Sequence, residues 1–180
     1  MRFVRYSLMA GPYPLGDNVE FASRLLHCED HYIGKAVLGA VQRLFDRDFE
    51  LLQMGVKEET IASHLAHYLD PYFPDLQVDV EYSLMGEAPK MVTHNESPQR
   101  VFPDIIVHVR NNAAIGIPNA QANALVVELK KDTNIEATDR DIAKLRAYRR
   151  ELGYRCALFM RFGTHDAAGT ICECEWVDAR

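Results

Sequence analysis

The chain lacks the excess of basic side chains by which many proteins hold nucleic acid through bulk charge. Its 180 residues include 20 Lys and Arg against 26 Asp and Glu, which gives a net charge of −6. This balance argues against nucleic-acid binding over the whole surface, although a local basic groove is compatible with it. No apolar run approaches the roughly 20 residues that cross a bilayer, so we expect no membrane partner.

Cysteine is sparse as well, and signals for export are missing. The four cysteines are Cys28, Cys156, Cys172 and Cys174. None stands in the paired spacing of a zinc site, and the amino terminus lacks the basic, apolar and small-residue order of a signal peptide. We therefore expect reduced thiols in a cytoplasmic protein. His27 and His31 have the four-residue spacing of a helical metal pair, but without a third ligand a structural role is favoured.

What the chain does contain is enough apolar material for one sizeable core. With 48% hydrophobic residues, we expect a single domain over residues 1–180. After an irregular arm at 1–16, apolar residues at three- and four-residue spacing predict a helical extension at 17–55 and a helix at 56–73. The later segments predict three strands, a helix and two further strands, at 76–84, 101–109, 124–131, 139–152, 155–163 and 170–176.

This order predicts a mixed α/β fold. The strand at 124–131 reaches the strand at 155–163 through the helix at 139–152, and such a connection makes a right-handed crossover between parallel strands. A sheet with a parallel part is covered by helices on both faces. We therefore expect a central mixed sheet flanked by helices.

The stretch LVVELKK at 125–131 keeps an acid and a base inside an apolar strand. Side chains alternate along a strand, so Glu128 and Lys130 share one face while Val127 and Leu129 share the other. A charge among apolar side chains is costly unless it is paired or bound to a metal. The two charges are therefore either a salt bridge at a strand end or part of a site.

A second acid favours the site. Asp104 stands at the head of the apolar run DIIVHV, much as Glu128 interrupts ALVVEL. If these strands pair as neighbours, the two carboxylates converge at one edge of the sheet. Mg²⁺ binds through one or two carboxylates together with water and substrate phosphate, so these acids and the backbone carbonyl of Leu129 are candidate ligands. Lys130, close by on the same face, is a candidate to orient or deprotonate the attacking water.

The dipeptide PD at 103–104 and the tripeptide ELK at 128–130, set in helix, strand, strand, strand, helix, strand order, resemble the PD-(D/E)xK nuclease superfamily. That superfamily includes restriction endonucleases, Holliday-junction resolvases and many DNA-repair nucleases. The resemblance covers roughly residues 56–163 and leaves 17–55 as a helical extension. It implies a restriction-endonuclease-like αβββαβ core, hydrolysis of phosphodiester bonds with Mg²⁺ or Mn²⁺, and DNA as the partner, with RNA as an alternative. It also implies that Asp104 and Glu128 bind the metal and that Lys130 assists the water.

The superfamily often adds an acid from the first core helix. Glu58 lies three residues before Ile61, on the face of the buried stripe, whereas Glu59 lies about 100° away around the helix. We therefore prefer Glu58 as the additional acid, although an ordinary first-turn acid favoured by the helix dipole is an equal alternative. Glu81, which interrupts the strand-like run VDVEYSL, is a second candidate.

The superfamily also places a polar or basic residue of the helix at 139–152 beside the catalytic edge. This assigns contact with the substrate phosphate to Lys144 and, on the same helix face, to Tyr148. Between residues 128 and 161, nine basic residues stand against six acidic ones, a local excess of three. The alternative for this helix is a solvated face of alternating charge.

Two functions stay open at this point. The first is a metal-dependent endonuclease acting on DNA, either as a homodimer or as a subunit of a larger defence or repair complex. The second is a non-catalytic module that binds nucleic acid or serves as a scaffold while it retains the nuclease fold. The complete set of Asp104, Glu128 and Lys130 favours the enzyme, since a module without catalysis has no need of this convergence of charges. His108 shares the strand face of Asp104, but a satisfied core histidine is the favoured interpretation there.

Overall fold

The computed structural model of the protein describes residues 19–85, 88–94, 97–134 and 138–179. The arm predicted at 1–16 lies outside the described residues. The described helices are α1 (Val19–Leu26), α2 (His31–Gln53), α3 (Glu58–Leu69), α4 (Asn119–Ala122) and α5 (Thr138–Leu152). The described strands are β1 (Gln77–Val80), β2 (Leu84–Met85), β3 (Ala88–Pro89), β4 (Met91–His94), β5 (Ser97–Arg100), β6 (Ile105–His108), β7 (Asn123–Lys131), β8 (Cys156–Phe162) and β9 (Ile171–Trp176).

Five strands form one mixed sheet in the order β1, β6, β7, β8 and β9. Neighbouring strands run antiparallel except for β7 and β8, which are parallel and are connected through α5. The predicted parallel pairing of these two strands through a helix and the mixed α/β class are thereby confirmed. The other described strands form two small hairpins, β2 with β3 and β4 with β5, between β1 and β6 in the chain.

Alternate residues of the sheet contribute to two apolar cores. Leu125 and Val127 of β7 belong to the core that the sheet shares with α1, α2 and α3. Val126 belongs to the core on the other face, which α5 covers. A pleated backbone imposes this division, because successive side chains point to opposite faces. Glu128, two residues after Val126, therefore lies on the α5 face.

The helical extension predicted at 17–55 consists of two helices, and its residues 17 and 18 lie outside the described part. Asp30 separates the helices by capping α2. Its carboxylate accepts hydrogen bonds from the backbone N–H groups of Tyr32 and Ile33 at 3.1 and 3.2 Å. The first turn of a helix has no internal acceptors for these groups, so a side-chain acceptor stabilises the start of α2.

Two strands are shorter than the sequence pattern predicts. The segment at 76–84 leaves the sheet after Val80, because Glu81 adopts a left-handed backbone with φ of 51°. The segment at 101–109 forms a strand only over Ile105–His108. None of the described helices is both long and apolar enough to span a membrane.

Candidate active site

Asp104 and Glu128 meet where β6 begins and β7 approaches its end. In the antiparallel register Ile105 lies opposite Val127, and one further step sets Asp104 opposite Glu128. The carboxylate of Asp104 accepts a hydrogen bond from the backbone N–H of Leu129 at 2.6 Å. The structure thus brings together the two acids that the sequence predicts as neighbours.

Glu128 is a buried acid held by α5. Only 2% of the residue is exposed. Its Oε1 accepts a hydrogen bond from the hydroxyl of Tyr148 at 3.0 Å, and its Oε2 lies 3.6 Å from Nζ of Lys144. Burial, followed by the negative charge of Asp104, raises the pKa of Glu128 to about 8. Because burial penalises the charged form, this side chain holds a proton at neutral pH when no metal ion is bound beside it.

The pKa of Asp104 is also raised, by a smaller amount than that of Glu128. Burial of its carboxyl raises the pKa of Asp104 to about 6, against the lowering influence of the Leu129 N–H and of the positive charge on Lys130. Two carboxylates in one place also disfavour each other's ionisation. The pair therefore holds unfavourable negative charge at basic pH, and a bound cation would relieve it.

Lys130 lies beside carboxylates of two other elements. Its Nζ is 3.6 Å from Oε2 of Glu58 in α3 and 3.6 Å from Oδ2 of Asp141 in α5. Burial opposes its charge, but these carboxylates, with Asp141 foremost, outweigh burial and raise the pKa of Lys130. The side chain is therefore an ammonium ion at neutral pH, and it suits charge stabilisation better than proton abstraction.

Asp141 is a residue of this site that the sequence reasoning missed. It is 4% exposed, and its Oδ1 lies 2.8 Å from Nζ of Lys144 while its other oxygen faces Lys130. Asp141 thus connects the two lysines. The available signal was its spacing, because Asp141, Lys144 and Tyr148 stand at i, i+3 and i+7 and so share one helix face.

Glu58 holds the end of β7. Its Oε1 accepts hydrogen bonds from the backbone N–H of Lys131 at 3.0 Å and from Nδ2 of Asn134 at 3.1 Å. The structure therefore brings Glu58 to the carboxylate edge, by which we mean the end of the sheet where Asp104 and Glu128 meet. Glu59, in contrast, is exposed. With one oxygen engaged in these bonds, Glu58 positions the strand end, and its catalytic role stays a prediction.

The two residues predicted to bind substrate phosphate differ in access. The side chain of Lys144 is 27% exposed. Burial opposes its charge, but Glu128 and Asp141 raise the pKa of Lys144, so it presents a positive charge near the surface. Tyr148 is 0% exposed and donates its hydroxyl to Glu128. This geometry suits orientation of the Glu128 carboxylate better than contact with a phosphate.

The other residues that the sequence raised are two sets of histidines and Glu81. His108, at the far end of β6, pairs with Asp79 at 2.9 Å between Nε2 and Oδ2, as expected of a satisfied histidine. Glu81 follows the end of β1 and lies next to Asp104, whose backbone carbonyl accepts a hydrogen bond from the Glu81 N–H at 3.3 Å, but Glu81 is exposed. His27 follows α1 while His31 opens α2, so the two do not share a helix, and the basis for a helical metal pair is removed.

The candidate metal ligands at the carboxylate edge are the carboxylates of Asp104 and Glu128. Among the described residues, no group of three or more His, Cys, Asp or Glu side chains is arranged to hold a metal ion. A Mg²⁺ ion that takes one or two carboxylates with water and phosphate needs only Asp104 and Glu128 from the protein. This hard, anionic donor pair fits Mg²⁺ or Mn²⁺ better than a metal that prefers thiolate. The Leu129 carbonyl as a further ligand stays a prediction.

Comparison with known proteins gives little similarity. No family model matches the chain, and no curated protein matches it. Among solved structures, the crystal structure of SSO0001 aligns over 92% of this chain and 79% of its own, at 12% sequence identity and a TM-score of 0.38. Similarity at this level identifies neither the fold nor the function.

Proposed function

We propose that this protein is a metal-dependent nuclease that hydrolyses phosphodiester bonds in DNA and is built on a restriction-endonuclease-like core. The observation that carries the proposal is the meeting of Asp104 and Glu128 with two lysines near the end of β7. The order α3, β1, β6, β7, α5 and β8 supports an αβββαβ core, to which the two small hairpins are additions.

Asp104 and Glu128 would hold the divalent cation. A bound Mg²⁺ or Mn²⁺ would stabilise charge on the phosphate and lower the pKa of a water molecule. Without it, Asp104 and Glu128 lose their protons only as the pH rises past their pKa values of about 6 and about 8. Cation binding must therefore release protons, and activity should rise with pH over this range.

The two lysines supply positive charge at fixed places. Lys144, partly exposed, would contact a phosphate oxygen of the substrate, and Lys130 would stabilise the charge that develops when water attacks. Asp141 holds both ammonium groups, and Tyr148 holds the carboxylate of Glu128. Such support from neighbouring side chains keeps reactive groups in one geometry.

One observation favours a non-catalytic module as the second candidate. Lys130 already lies beside Glu58 and Asp141. Lys144 lies beside Asp141 and Glu128. A network in which cations and carboxylates largely neutralise each other is also what a scaffolding or nucleic-acid-binding derivative of the fold would retain.

Cleavage assays distinguish the two candidates. Supercoiled, linear and branched DNA, and RNA, are incubated with the protein in Mg²⁺, Mn²⁺ or EDTA. Asp104→Asn and Glu128→Gln are tested beside Glu59→Gln, which changes an exposed acid. We expect metal-dependent cleavage of DNA that the first two variants lose and the third keeps. Cleavage by Glu128→Gln at the parental rate would contradict the site, and DNA binding without cleavage in any metal would support the module.

A further inference from the structure

Two buried thiols lie side by side towards the other end of the sheet. Cys28 is in the turn between α1 and α2, and Cys156 is the first residue of β8. Their sulfur atoms are 3.4 Å apart although the residues stand 128 positions apart in the chain. They are 7% and 1% exposed. Cys156 lies beside Leu125 of β7, three residues before Glu128 and so about 10 Å along the strand from it.

A cavity borders this thiol pair. Its volume is about 460 Å³, and its lining includes both thiols together with Arg24, Glu29 and Arg149. Both arginines form ion pairs with carboxylates, and the partner of Arg149 is Glu29. A cavity of this size admits a small oxidant such as a peroxide, so the two thiols are accessible to it although they are buried.

The two sulfurs are suited to act in sequence. The hydrogen bond between them lowers the pKa of Cys28, whereas the same contact and burial raise the pKa of Cys156. A thiolate is the reactive form of cysteine, and a neighbouring thiol converts an oxidised sulfur to a disulfide. A disulfide bond is about 2.05 Å long, so the sulfurs must approach by about 1.4 Å. The turn that carries Cys28 lies outside both helices, and a small shift of this turn would supply that movement.

We propose that Cys28 and Cys156 form a site of reversible oxidation that closes to an intramolecular disulfide with hydrogen peroxide as the oxidant. The Cys28 thiolate attacks one peroxide oxygen, the O–O bond breaks, and the leaving hydroxide takes a proton to become water. The Cys156 thiol then attacks the sulfenic sulfur of Cys28. The S–S bond forms, the S–O bond breaks, and a second water leaves with the Cys156 proton. Two thiols are oxidised while one peroxide is reduced to two waters.

The disulfide would tie the turn between α1 and α2 to β8. A link across 128 positions restricts the unfolded chain and therefore stabilises the fold. The link forms at the start of β8, about three residues along the sheet from the carboxylate edge, and it includes none of the residues of the proposed active site. We therefore expect no change in cleavage. The proposal is thus independent of the nuclease activity, and its failure would leave the proposed function untouched.

Peroxide treatment of the full chain tests this site, followed by peptide mass mapping without reduction and by thermal melts. We expect a peptide in which Cys28 is linked to Cys156, and a rise in Tm of roughly 5–10 °C that dithiothreitol reverses. Cys172→Ser, which changes an exposed thiol, should behave like the parent. Cys28→Ser and Cys156→Ala should show neither effect. Each protein is compared with its own reduced form, so that a lower starting stability does not affect the result. Linkage through other cysteines, or oxidation of Cys28 without linkage, would overturn the proposal.

Discussion

Replacing Glu128 with Gln should stabilise the metal-free protein at basic pH, although the change lies in a buried site. The pKa of Glu128 is about 8 against an ordinary value of 4.5, so the folded protein holds this proton more tightly than the unfolded chain does. Between these two values the stability of the parent must fall as the pH rises, because the folded state binds more protons than the unfolded state. Gln does not ionise, so the stability of the Glu128→Gln variant does not fall with pH for this reason.

The size of the effect follows from the two pKa values. A tenfold change in proton affinity corresponds to about 1.4 kcal/mol. Full ionisation of Glu128 in the folded protein therefore costs at most about 5 kcal/mol of unfolding free energy. Local relaxation of the buried site reduces this figure, and we expect about 2 kcal/mol. Gln keeps the shape of the side chain and an oxygen that accepts the Tyr148 hydroxyl.

Urea unfolding in EDTA at about pH 5 and about pH 8.5 measures the difference. Between these conditions, the unfolding free energy of the parent should decrease relative to that of Glu128→Gln by about 2 kcal/mol. Glu59→Gln, the same change at an exposed position, should follow the parent. Mg²⁺ should restore the stability of the parent at basic pH but not alter that of Glu128→Gln. Parallel pH profiles for the parent and Glu128→Gln would refute the reasoning, because Glu128 would then titrate alike in the folded and unfolded states.

Three further substitutions separate the roles of the neighbouring residues. Lys130→Met, which keeps most of the apolar stem, should reduce the cleavage rate by about a hundredfold or more. Calorimetry should show a Mg²⁺ affinity that is little changed. Cleavage at the parental rate with a lower Tm would make Lys130 a structural ion-pair residue. Tyr148→Phe should lower the unfolding free energy by about 1 kcal/mol in urea titrations. It should also reduce cleavage, since Glu128 loses its fixed orientation. Cleavage equal to that of the parent would count against a role of Tyr148 in orienting Glu128. Asp141→Asn should move the alkaline limb of the cleavage-against-pH curve to lower pH, because losing the negative charge lowers the pKa of both lysines. Asp139→Asn, at an exposed position of the same helix turn, should leave that curve in place, and a matching displacement in both variants would argue against a specific role for Asp141.

Local patterns were enough to predict most of the elements and part of the candidate site. Hydrophobic periodicity acts over a few residues, so the sequence alone predicted β7, α5 and the shared face of Glu128 and Lys130. The crossover rule then predicted the parallel pairing of β7 with β8. The ends of the extended segments were not predictable in this way. The left-handed backbone of Glu81 and the late pairing of β6 at Ile105 depend on neighbouring chain that the local pattern does not contain.

Only the tertiary structure decided which polar side chains meet. Lys130 faces Glu58 and Asp141 because the starts of α3 and α5 both lie near the end of β7. Cys28 touches Cys156 across 128 positions of sequence because the turn after α1 lies against the start of β8. In both cases the packing of apolar faces brings distant segments together, and the polar groups at the edge of each face then find their partners. A sequence pattern records which face of an element is apolar, but the identity of the facing element is a property of the whole fold.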